Sequence, residues 1–260
     1  MQRKSFFNAA EINAVDEWAL NSENSNLTAM KLRKFKLKKG NKREFVMNSS
    51  EAIIVVVGGE LKVELSGGEP ATSGLDGQNV AERFDAVYLT NDDACTITAL
   101  TASDVLICEA AAETSYNSVL IKRKDVTPVE SGSGCHVRHV WNMVSPNGIK
   151  AERLILGYCE SIVDGGWTGW PPHEHGGNLE EIYYYYDISG PVPGVLQFNS
   201  NNLRDHVETE LAKSGDIFAI NEGFHPIVAF PGTKMKNLWF MAAIRPEDRD
   251  FGVIRADSAF

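Results

Sequence analysis

The 260-residue chain is 43% hydrophobic and 23% charged and has a formal net charge of -10, a composition typical of a globular, acidic protein. The acidic excess argues against a nucleic-acid partner, because phosphate binding needs clustered Lys and Arg that acid does not outweigh. The longest apolar run, residues 52–57, is too short to span a bilayer, and the first residues have no apolar core of signal-peptide length. We therefore expect a cytoplasmic protein with no membrane partner.

The first predicted elements are a helix and a lysine-rich strand. Asn8 followed three residues later by Glu11 has the spacing of a capping box, and apolar positions at helical spacing continue for about three turns. In residues 31–45, basic residues alternate with Phe35 and Leu37, which is the period of a strand with one solvated face. We interpret this segment as an edge strand protected by lysines rather than as a nucleic-acid surface.

The following residues predict a barrel or sandwich of short strands. Residues 51–65 read as a β-hairpin that turns at Gly58-Gly59. No histidine precedes His136, so this half cannot build a histidine metal site and is expected to be structural. Glycine, asparagine and aspartate separate further predicted strands at 86–89, 95–100 and 105–109.

The cysteine pattern is typical of a reducing compartment. None of the four cysteines forms a C-x-x-C pair, and three of them stand in apolar, strand-like sequence. We therefore predict reduced thiols rather than disulfides or metal ligands. The four are Cys95, Cys108, Cys135 and Cys159.

A second set of strands follows a looser stretch at residues 110–134, whose small and polar residues suit a crossover between domains. This pattern predicts an N-terminal domain over residues 1–125 without a metal site and a C-terminal domain over residues 126–260 with one. The predicted strands of the second half lie at 138–144, 151–163, 195–198, 208–212, 217–220 and 238–243.

The residues with the clearest chemistry begin at His173 and His175. Residues two apart on a strand face the same side, so these two imidazoles could share a metal ion. The turn-forming residues 176–178 and a β-forming run at 182–186 follow, which predicts a hairpin with the histidines on one arm.

A carboxylate and a third imidazole complete a possible metal shell. The acidic pair Glu180-Glu181 opens the second arm of the predicted hairpin, and His225 follows a Gly-containing turn at the end of a later strand. Three imidazoles and one carboxylate suffice for a divalent transition metal and leave positions for a substrate.

These motifs resemble a known family. GWTGWPPHEHGGNLEEIYYYY and GDIFAINEGFHPIVAFPG are similar to the two-part metal motif of cupins, and more narrowly to the 5-deoxy-glucuronate isomerases of myo-inositol catabolism. A more distant resemblance is to the 4-deoxy-threo-hexosulose-uronate isomerases. The similarity extends to GGELKVEL and AERFDAVYLTNDDACTITALTASDVLICEAA in the first half. It implies an all-β bicupin, two tandem double-stranded β-helix (jelly-roll) barrels, with metal bound only in the second.

The resemblance also implies which residues bind the metal. The ligands would be His173, His175, His225 and one glutamate of the acidic pair. Glu180 fits the general cupin spacing, but the family's glutamate directly precedes a hydrophobic residue and a tyrosine, which favours Glu181. Imidazole and carboxylate accept zinc, manganese, iron, cobalt or nickel, so the identity of the divalent ion is left open.

The implied reaction interconverts an aldehyde sugar acid and its keto form, which for 5-deoxy-glucuronate gives 5-dehydro-2-deoxy-gluconate. It needs a base of suitable pKa, for which Glu180 and Tyr183 are the candidates. The substrate's carboxylate calls for a guanidinium, and Arg153 is the first choice, with Arg138 and Arg245 as alternatives.

Two departures from the family pattern keep other functions open. The loop after His175 is short, and residues 221–224 replace the usual proline-arginine-glycine-tyrosine. The alternatives are an isomerase of another uronate, a metal-dependent dioxygenase and a sugar-binding cupin without catalysis. Fold-level analogy also predicts a homo-oligomer.

Overall fold

The chain forms β-sheet almost throughout, as its short runs of β-branched and aromatic residues predict. The structure is a computed structural model that describes residues 3–13, 19–65, 79–204, 206–251 and 254–259. It opens with strand β1 (Phe6–Phe7) and helix α1 (Ala9–Asn13). The predicted capping box is confirmed: the Asn8 side chain accepts the backbone N–H groups of Ala10 and Glu11, and the Glu11 side chain accepts the backbone N–H of Asn8. The rest of the predicted helix lies outside the described residues.

No helix in these described ranges has the length and apolar character needed to cross a membrane.

The N-terminal half forms two facing antiparallel sheets of order β10-β7-β4-β9-β2 and β3-β8-β5-β6. Apolar side chains such as Ile54, Ile97 and Ile107 fill the space between them. This half is therefore a packed barrel whose interior is a core. Its strands are β2 (Met30–Leu37), β3 (Lys42–Val46), β4 (Ser50–Gly58), β5 (Leu61–Leu65), β6 (Val80–Ala81), β7 (Ala86–Leu89), β8 (Ala94–Ala99), β9 (Ser103–Ala111) and β10 (Val119–Ile121).

The turn at Gly58-Gly59 joins the two sheets rather than two arms of a hairpin. β4 pairs with β7 and β9, whereas β5 pairs with β6 and β8, so the predicted hairpin over residues 51–65 is wrong. Gly59 has a φ of +80°, and a Cβ there would lie 2.4 Å from the carbonyl oxygen of Ala102. Glycine is therefore required at this turn, where the chain passes from one sheet to the other.

β2 is an edge strand, as the lysine pattern predicts. Lys36 and Lys38 are exposed, and Phe35 and Leu37 are buried in the barrel. Lys34 departs from the prediction, because it is buried against the second barrel with its Nζ 5.5 Å from the centre of the Tyr184 ring. Burial lowers the pKa of the Lys34 ammonium.

The C-terminal half has a seven-stranded sheet, β1-β19-β16-β21-β13-β12-β11, that faces a four-stranded sheet, β14-β20-β17-β18, beside the pair β15-β22. All pairings are antiparallel. Its further strands are β11 (Val129–Ser131), β12 (Arg138–Val144), β13 (Leu154–Ser161), β14 (Trp167–Thr168), β15 (His173–Glu174), β16 (Leu179–Tyr185), β17 (Val195–Asn202), β18 (His206–Ala212), β19 (Ile217–Ile220), β20 (Ile227–Ala229), β21 (Lys236–Ala243) and β22 (Arg255–Ala256).

The first described strand belongs to the second barrel. In β1, Phe7 pairs with Ile217 of β19, and the backbone N–H of Ala9 donates to Asp216 at 2.8 Å. A division at residue 125 therefore misplaces the start of the chain, which crosses to the C-terminal sheet before it enters the N-terminal barrel.

The two barrels pack back to back through the five-stranded and seven-stranded sheets. Leu106 of the first and Ile182 and Phe240 of the second lie in one buried cluster. Buried carboxylates add directional contacts across this interface. The Glu51 side chain accepts the backbone N–H groups of residues 152, 153 and 154 at 2.7–2.8 Å and the Tyr88 hydroxyl at 2.6 Å. The N-terminal barrel is thereby a fixed support for the sheet that carries the candidate site.

Candidate metal centre

Two predicted ligands lie at a short strand, β15, that pairs with the C-terminal strand β22. His173 stands opposite Ala256 in this pair. The predicted hairpin between this strand and β16 is wrong, because β16 pairs with β19 and β21. His173 and His175 nevertheless face the same side, and their ring centres are 5.4 Å apart.

The two glutamates of the acidic pair separate to opposite faces of β16. Glu181 points into the second barrel, where its Oε2 lies 3.1 Å from Nε2 of His175 and 3.2 Å from Nε2 of His225. Glu180 points out of the barrel and accepts hydrogen bonds from Thr28 and from the backbone N–H of Ala29. The prediction of Glu180 as a base at this site is therefore wrong, because strand alternation takes it away from the histidines.

His225 is held in a left-handed turn after β19. Gly223 has a φ of +91°, and a Cβ there would lie 2.6 Å from Oδ1 of Asn199, so the turn requires glycine. The carbonyl oxygen of Gly223 lies 2.8 Å from Nδ1 of His225, which is fully buried. The ring nitrogens of His173, His175 and His225 include ligand atoms that all lie within 4.8 Å of one another.

Backbone carbonyls fix the tautomers of two of these imidazoles. A carbonyl oxygen only accepts, so Nδ1 of His225 donates to Gly223, and Nδ1 of His173 donates to Pro171 at 3.0 Å. Their Nε2 atoms therefore carry lone pairs when the rings are neutral, and the Nε2 lone pair of His225 faces the Glu181 carboxylate. Two acceptors at such a distance repel unless a cation lies between them. The donor set, whose rings are oriented by these carbonyls, fits a divalent transition metal.

The electrostatic surroundings of the cluster favour an ionised Glu181 and a neutral His173. Burial raises the pKa of Glu181, but the hydrogen bond to His175 and the closeness of His225 outweigh this effect and bring the pKa to about 2. Burial, followed by the nearby His225, lowers the pKa of His173 to about 4. A carboxylate and a neutral imidazole are the protonation states that bind metal.

A cavity of about 370 Å³ opens beside this cluster, inside the second barrel. A few polar groups stand in a mainly apolar wall, which is the usual character of a small-molecule site. The cavity is lined by Ser131, Arg138, Val140, Asn142, Cys159, Thr168, Gly169, His173, His175, Leu179, Glu181, Tyr183, Ile227, Asn237, Trp239, Met241, Phe251 and Ile254.

Tyr183 lies where the sequence places it, on the inward face of β16 and in the cavity wall. Its ring centre is 6.0 Å from that of His225. Burial, reinforced by the negative charge of Glu181, raises the pKa of the Tyr183 hydroxyl well above its ordinary value. The hydroxyl is thus held in its neutral form, which suits it to donate a proton or hydrogen bond rather than to act as a base.

Of the three candidate arginines, only Arg138 lines the cavity. Its guanidinium donates to the carbonyl oxygens of His136 and Trp170 at 3.0 and 3.3 Å. Arg153 lies outside, with its guanidinium on the carbonyl oxygens of residues 243 and 244, so the first choice for the carboxylate partner is wrong. Arg245 is exposed and paired with Asp248.

The C-terminal segment contributes residues that the sequence does not reveal. Phe251 and Ile254 line the cavity, and the backbone N–H of Asp257 donates to the carbonyl oxygen of Pro172 at 2.9 Å. These contacts hold β22 against the strand that carries His173. The only sequence signal is a short β-forming stretch after a polar turn, which is too weak to predict such a pairing.

Known proteins of similar sequence share one name. A curated protein from Shouchella clausii named 5-deoxy-glucuronate isomerase is 30% identical over 194 residues, which are 71% of this chain and 70% of that protein. A protein of the same name from Bacillus licheniformis is 28% identical over 216 residues, 78% of each chain.

Solved structures confirm the bicupin fold. An IolB-like protein from Salmonella typhimurium LT2 superposes with a TM-score of 0.80 at 19% identity, over 98% of this chain and 97% of that one. Oxalate decarboxylase from Lactobacillus farciminis gives a TM-score of 0.66 at 13% identity, over 94% and 87% of the two chains. The sequence model of the KduI/IolB family matches residues 6–253, nearly the whole chain. The chain belongs to the KduI/IolB family.

Proposed function

We propose that this protein is a metal-dependent aldose–ketose isomerase that converts 5-deoxy-glucuronate into 5-dehydro-2-deoxy-gluconate in inositol catabolism. The observation that carries the proposal is one cavity whose wall includes His173, His175 and Glu181 of the three-histidine cluster together with a separate guanidinium, that of Arg138. The names of the curated relatives supply the substrate class. A cytoplasmic location is part of the proposal and is supported by four free thiols.

The metal would be held by His173, His175, His225 and Glu181, and zinc, manganese, iron, cobalt and nickel all suit this donor set. When bound, a divalent ion supplies Lewis-acid stabilisation of the negative charge that develops on the substrate's oxygens. The backbone carbonyls behind His173 and His225 keep both rings oriented for this role.

Arg138 binds the carboxylate of the sugar acid. Its guanidinium rests on the carbonyl of Trp170, and the next carbonyl along the chain, that of Pro171, is the partner of His173. One short loop therefore places the Arg138 guanidinium beside the histidines. From there it can contact the carboxylate of a six-carbon acid whose carbonyl end lies at the histidines. A guanidinium grips a carboxylate with two parallel hydrogen bonds, which also fixes the direction of the chain.

Tyr183 acts as a proton donor. The reaction removes the proton on C2, adds a proton to C1, and exchanges carbonyl and hydroxyl between O1 and O2. Because Tyr183 stays protonated, its hydroxyl donates to the oxygen on which negative charge develops. Glu181 is the one carboxylate among the described residues that line the cavity, and it belongs to the metal cluster.

The apolar part of the cavity suits a deoxy sugar. Part of its wall consists of apolar side chains, those of Val140, Ile227, Trp239 and Met241. A methylene group loses nothing by lying against such a wall, whereas a hydroxyl there leaves its hydrogen bonds unmade.

The test is proton NMR of metal-loaded protein with 5-deoxy-glucuronate in deuterated buffer. The wild type is expected to replace the aldehyde signal by that of the keto acid and to place deuterium at C1. The His225→Ala variant is expected to leave the aldehyde unchanged and to lose the ion in metal analysis.

A wild type that binds one ion per chain but leaves the aldehyde unchanged would overturn the proposal. If the His225→Ala variant converted the substrate at the wild-type rate, the reaction would not depend on this cluster, and the assignment of the site would be overturned.

Association of copies is a separate proposal that follows from the sheet edges. β3 and β18 are edge strands in the described part of the chain, and they carry the exposed side chains Val46 and Leu211. Exposed edges with apolar side chains favour pairing with another copy. Light scattering after size-exclusion chromatography is expected to give a mass above that of one chain.

A further inference from the structure

Two polar side chains in the cavity wall have no role in the site described above. Thr168 and Asn237 are 1% and 2% exposed, and both line the cavity. Thr168 Oγ1 and Asn237 Oδ1 have no hydrogen-bond partner among the described residues. Buried polar atoms are nearly always partnered in folded proteins, so two such atoms on side chains that line one cavity point to a ligand that pairs with them.

We propose that Thr168 and Asn237 form a hydroxyl-recognition pair that selects an open-chain polyhydroxy acid by its secondary hydroxyl groups. This inference rests on the proposed function and deepens it, since it concerns the carbons between the reacting carbonyl and the carboxylate.

The chemistry of the two atoms defines the ligand group. The amide oxygen Oδ1 of Asn237 only accepts, so its partner is a donor. A sugar hydroxyl donates, whereas an ionised carboxylate does not. The hydroxyl of Thr168 both donates and accepts and therefore suits a second hydroxyl. Arg138, which only donates, complements them by taking the carboxylate.

The strand register separates the two contacts along the cavity. Thr168 pairs with Ile227, two residues beyond His225, so it stands near the metal cluster. Asn237 of β21 pairs with Tyr185, whereas Met241 of the same strand pairs with Glu181. Because every second residue of β21 faces inward, Asn237 lies two inward-facing positions from the residue opposite Glu181. Thr168 therefore contacts a hydroxyl next to the reacting carbons, and Asn237 contacts one nearer the carboxylate.

Near-isosteric variants test this pair with little change of shape. Thr168→Val and Asn237→Leu each remove the polar atom. Each is expected to lower kcat/KM for 5-deoxy-glucuronate about tenfold, since a tenfold change corresponds to the loss of one well-made hydrogen bond. Metal content should stay at the wild-type value. The matched control is Thr98→Val in the N-terminal barrel, whose Oγ1 is also buried without a partner among the described residues.

A comparison of two ligands separates recognition from general damage. Wild type is expected to prefer 5-deoxy-glucuronate over its 4,5-dideoxy analogue, and Asn237→Leu is expected to lose most of that preference. A merely structural effect would weaken both ligands equally. Calorimetric titration of metal-loaded protein with each acid gives the same comparison without turnover.

The outcomes distinguish this inference from the proposed function. If wild type binds the two acids with different affinity but isomerises neither, the proposed function fails and the recognition pair stands, provided that Asn237→Leu abolishes the difference. If wild type isomerises 5-deoxy-glucuronate while both variants keep its rate and preference, the proposed function stands and the recognition pair is overturned. Wild-type protein that binds neither acid also overturns the pair.

Discussion

Glu180 and Glu181 are adjacent in β16, yet only Glu181 reaches the three-histidine cluster, with Oε2 3.1 Å from Nε2 of His175. Glu180 instead ties β16 to the backbone at Thr28 and Ala29. The two positions therefore form a natural pair of test and control.

Glu181→Gln should reduce the affinity for a divalent ion at least tenfold, because an anionic ligand becomes a neutral amide. Isomerisation should fall with it. Glu180→Gln should keep one ion per chain and instead lower the unfolding midpoint, because charge-assisted hydrogen bonds to the N-terminal segment are weakened. Metal analysis and urea unfolding of both variants check this. Equal metal loss in the two variants would contradict the assignment.

Arg138→Met should raise KM for the sugar acid about 10- to 100-fold, the effect of losing a charge-assisted bidentate contact, with a smaller change in kcat. Arg153→Met is the control, because Arg153 lies outside the cavity and donates to backbone carbonyls. It should leave KM unchanged and lower stability. Steady-state kinetics distinguish the two, and a similar rise in KM for both would argue against Arg138 as the carboxylate partner.

Gly157→Ala should disturb the cavity wall. A Cβ at Gly157 would lie 2.1 Å from Cζ2 of Trp239, so the indole must move from its place in the wall. Such overpacking costs about 1–3 kcal/mol and should lower kcat/KM and shift the tryptophan fluorescence. Gly58→Ala in β4 is the control, because its nearest contact would be an ordinary 3.6 Å to Asp104. Unchanged fluorescence in Gly157→Ala would show that the indole is not confined there.

Glu51→Ala should destabilise the packing of the two barrels. The carboxylate accepts the backbone N–H groups of residues 152 to 154 and the Tyr88 hydroxyl, all in a buried interface. Its removal leaves these donors without an acceptor, for an expected loss of about 3 kcal/mol or more in the free energy of unfolding. Denaturant unfolding measures it. Exposed Glu60, truncated to alanine, should change stability little.

Thiol labelling should identify Cys135 as the reactive cysteine. It is exposed, whereas the other three are buried. Burial raises the pKa of Cys95 and of Cys159 to about 12 and that of Cys108 well above its ordinary value, so almost no thiolate forms at pH 8. Ellman's reagent should titrate one thiol in native protein and four in urea. Cys135→Ser should abolish the fast reaction, and its persistence would contradict the burial of the others.

The sequence predicts which candidate ligands come together in the structure, because their signal is local. The spacing of His173 and His175, the position of Glu181 before a hydrophobic residue and tyrosine, and the glycine turn before His225 all survive in the structure. Strand positions are likewise predicted closely, since β7, β12 and β19 match the expected bounds.

Pairing between strands is not local, and there the sequence misleads. Glycine turns at Gly58-Gly59 and after His175 suggest hairpins, but each of these turns carries the chain from one sheet to another, so the strands beside it take their partners from other segments. The same distance explains the error at Arg153. The side of the sheet on which an arginine lies is known only when the partners of its strand are known. The sequence alone therefore could not show which of Arg153 and Arg138 faces the cavity.

The pairing of β1 with β19 has a consequence for how the protein is made. Phe6 and Phe7 are synthesised long before their partners Phe218 and Ile217, because both barrels' other strands up to β18 lie between them in the sequence. During that interval β1 has no partner strand in its own chain, and its unpaired backbone edge is open to pairing with another chain. The long separation of β1 and β19 in the sequence therefore exposes β1 to mispairing while the second half is synthesised, and slow translation of that half would lengthen the exposure.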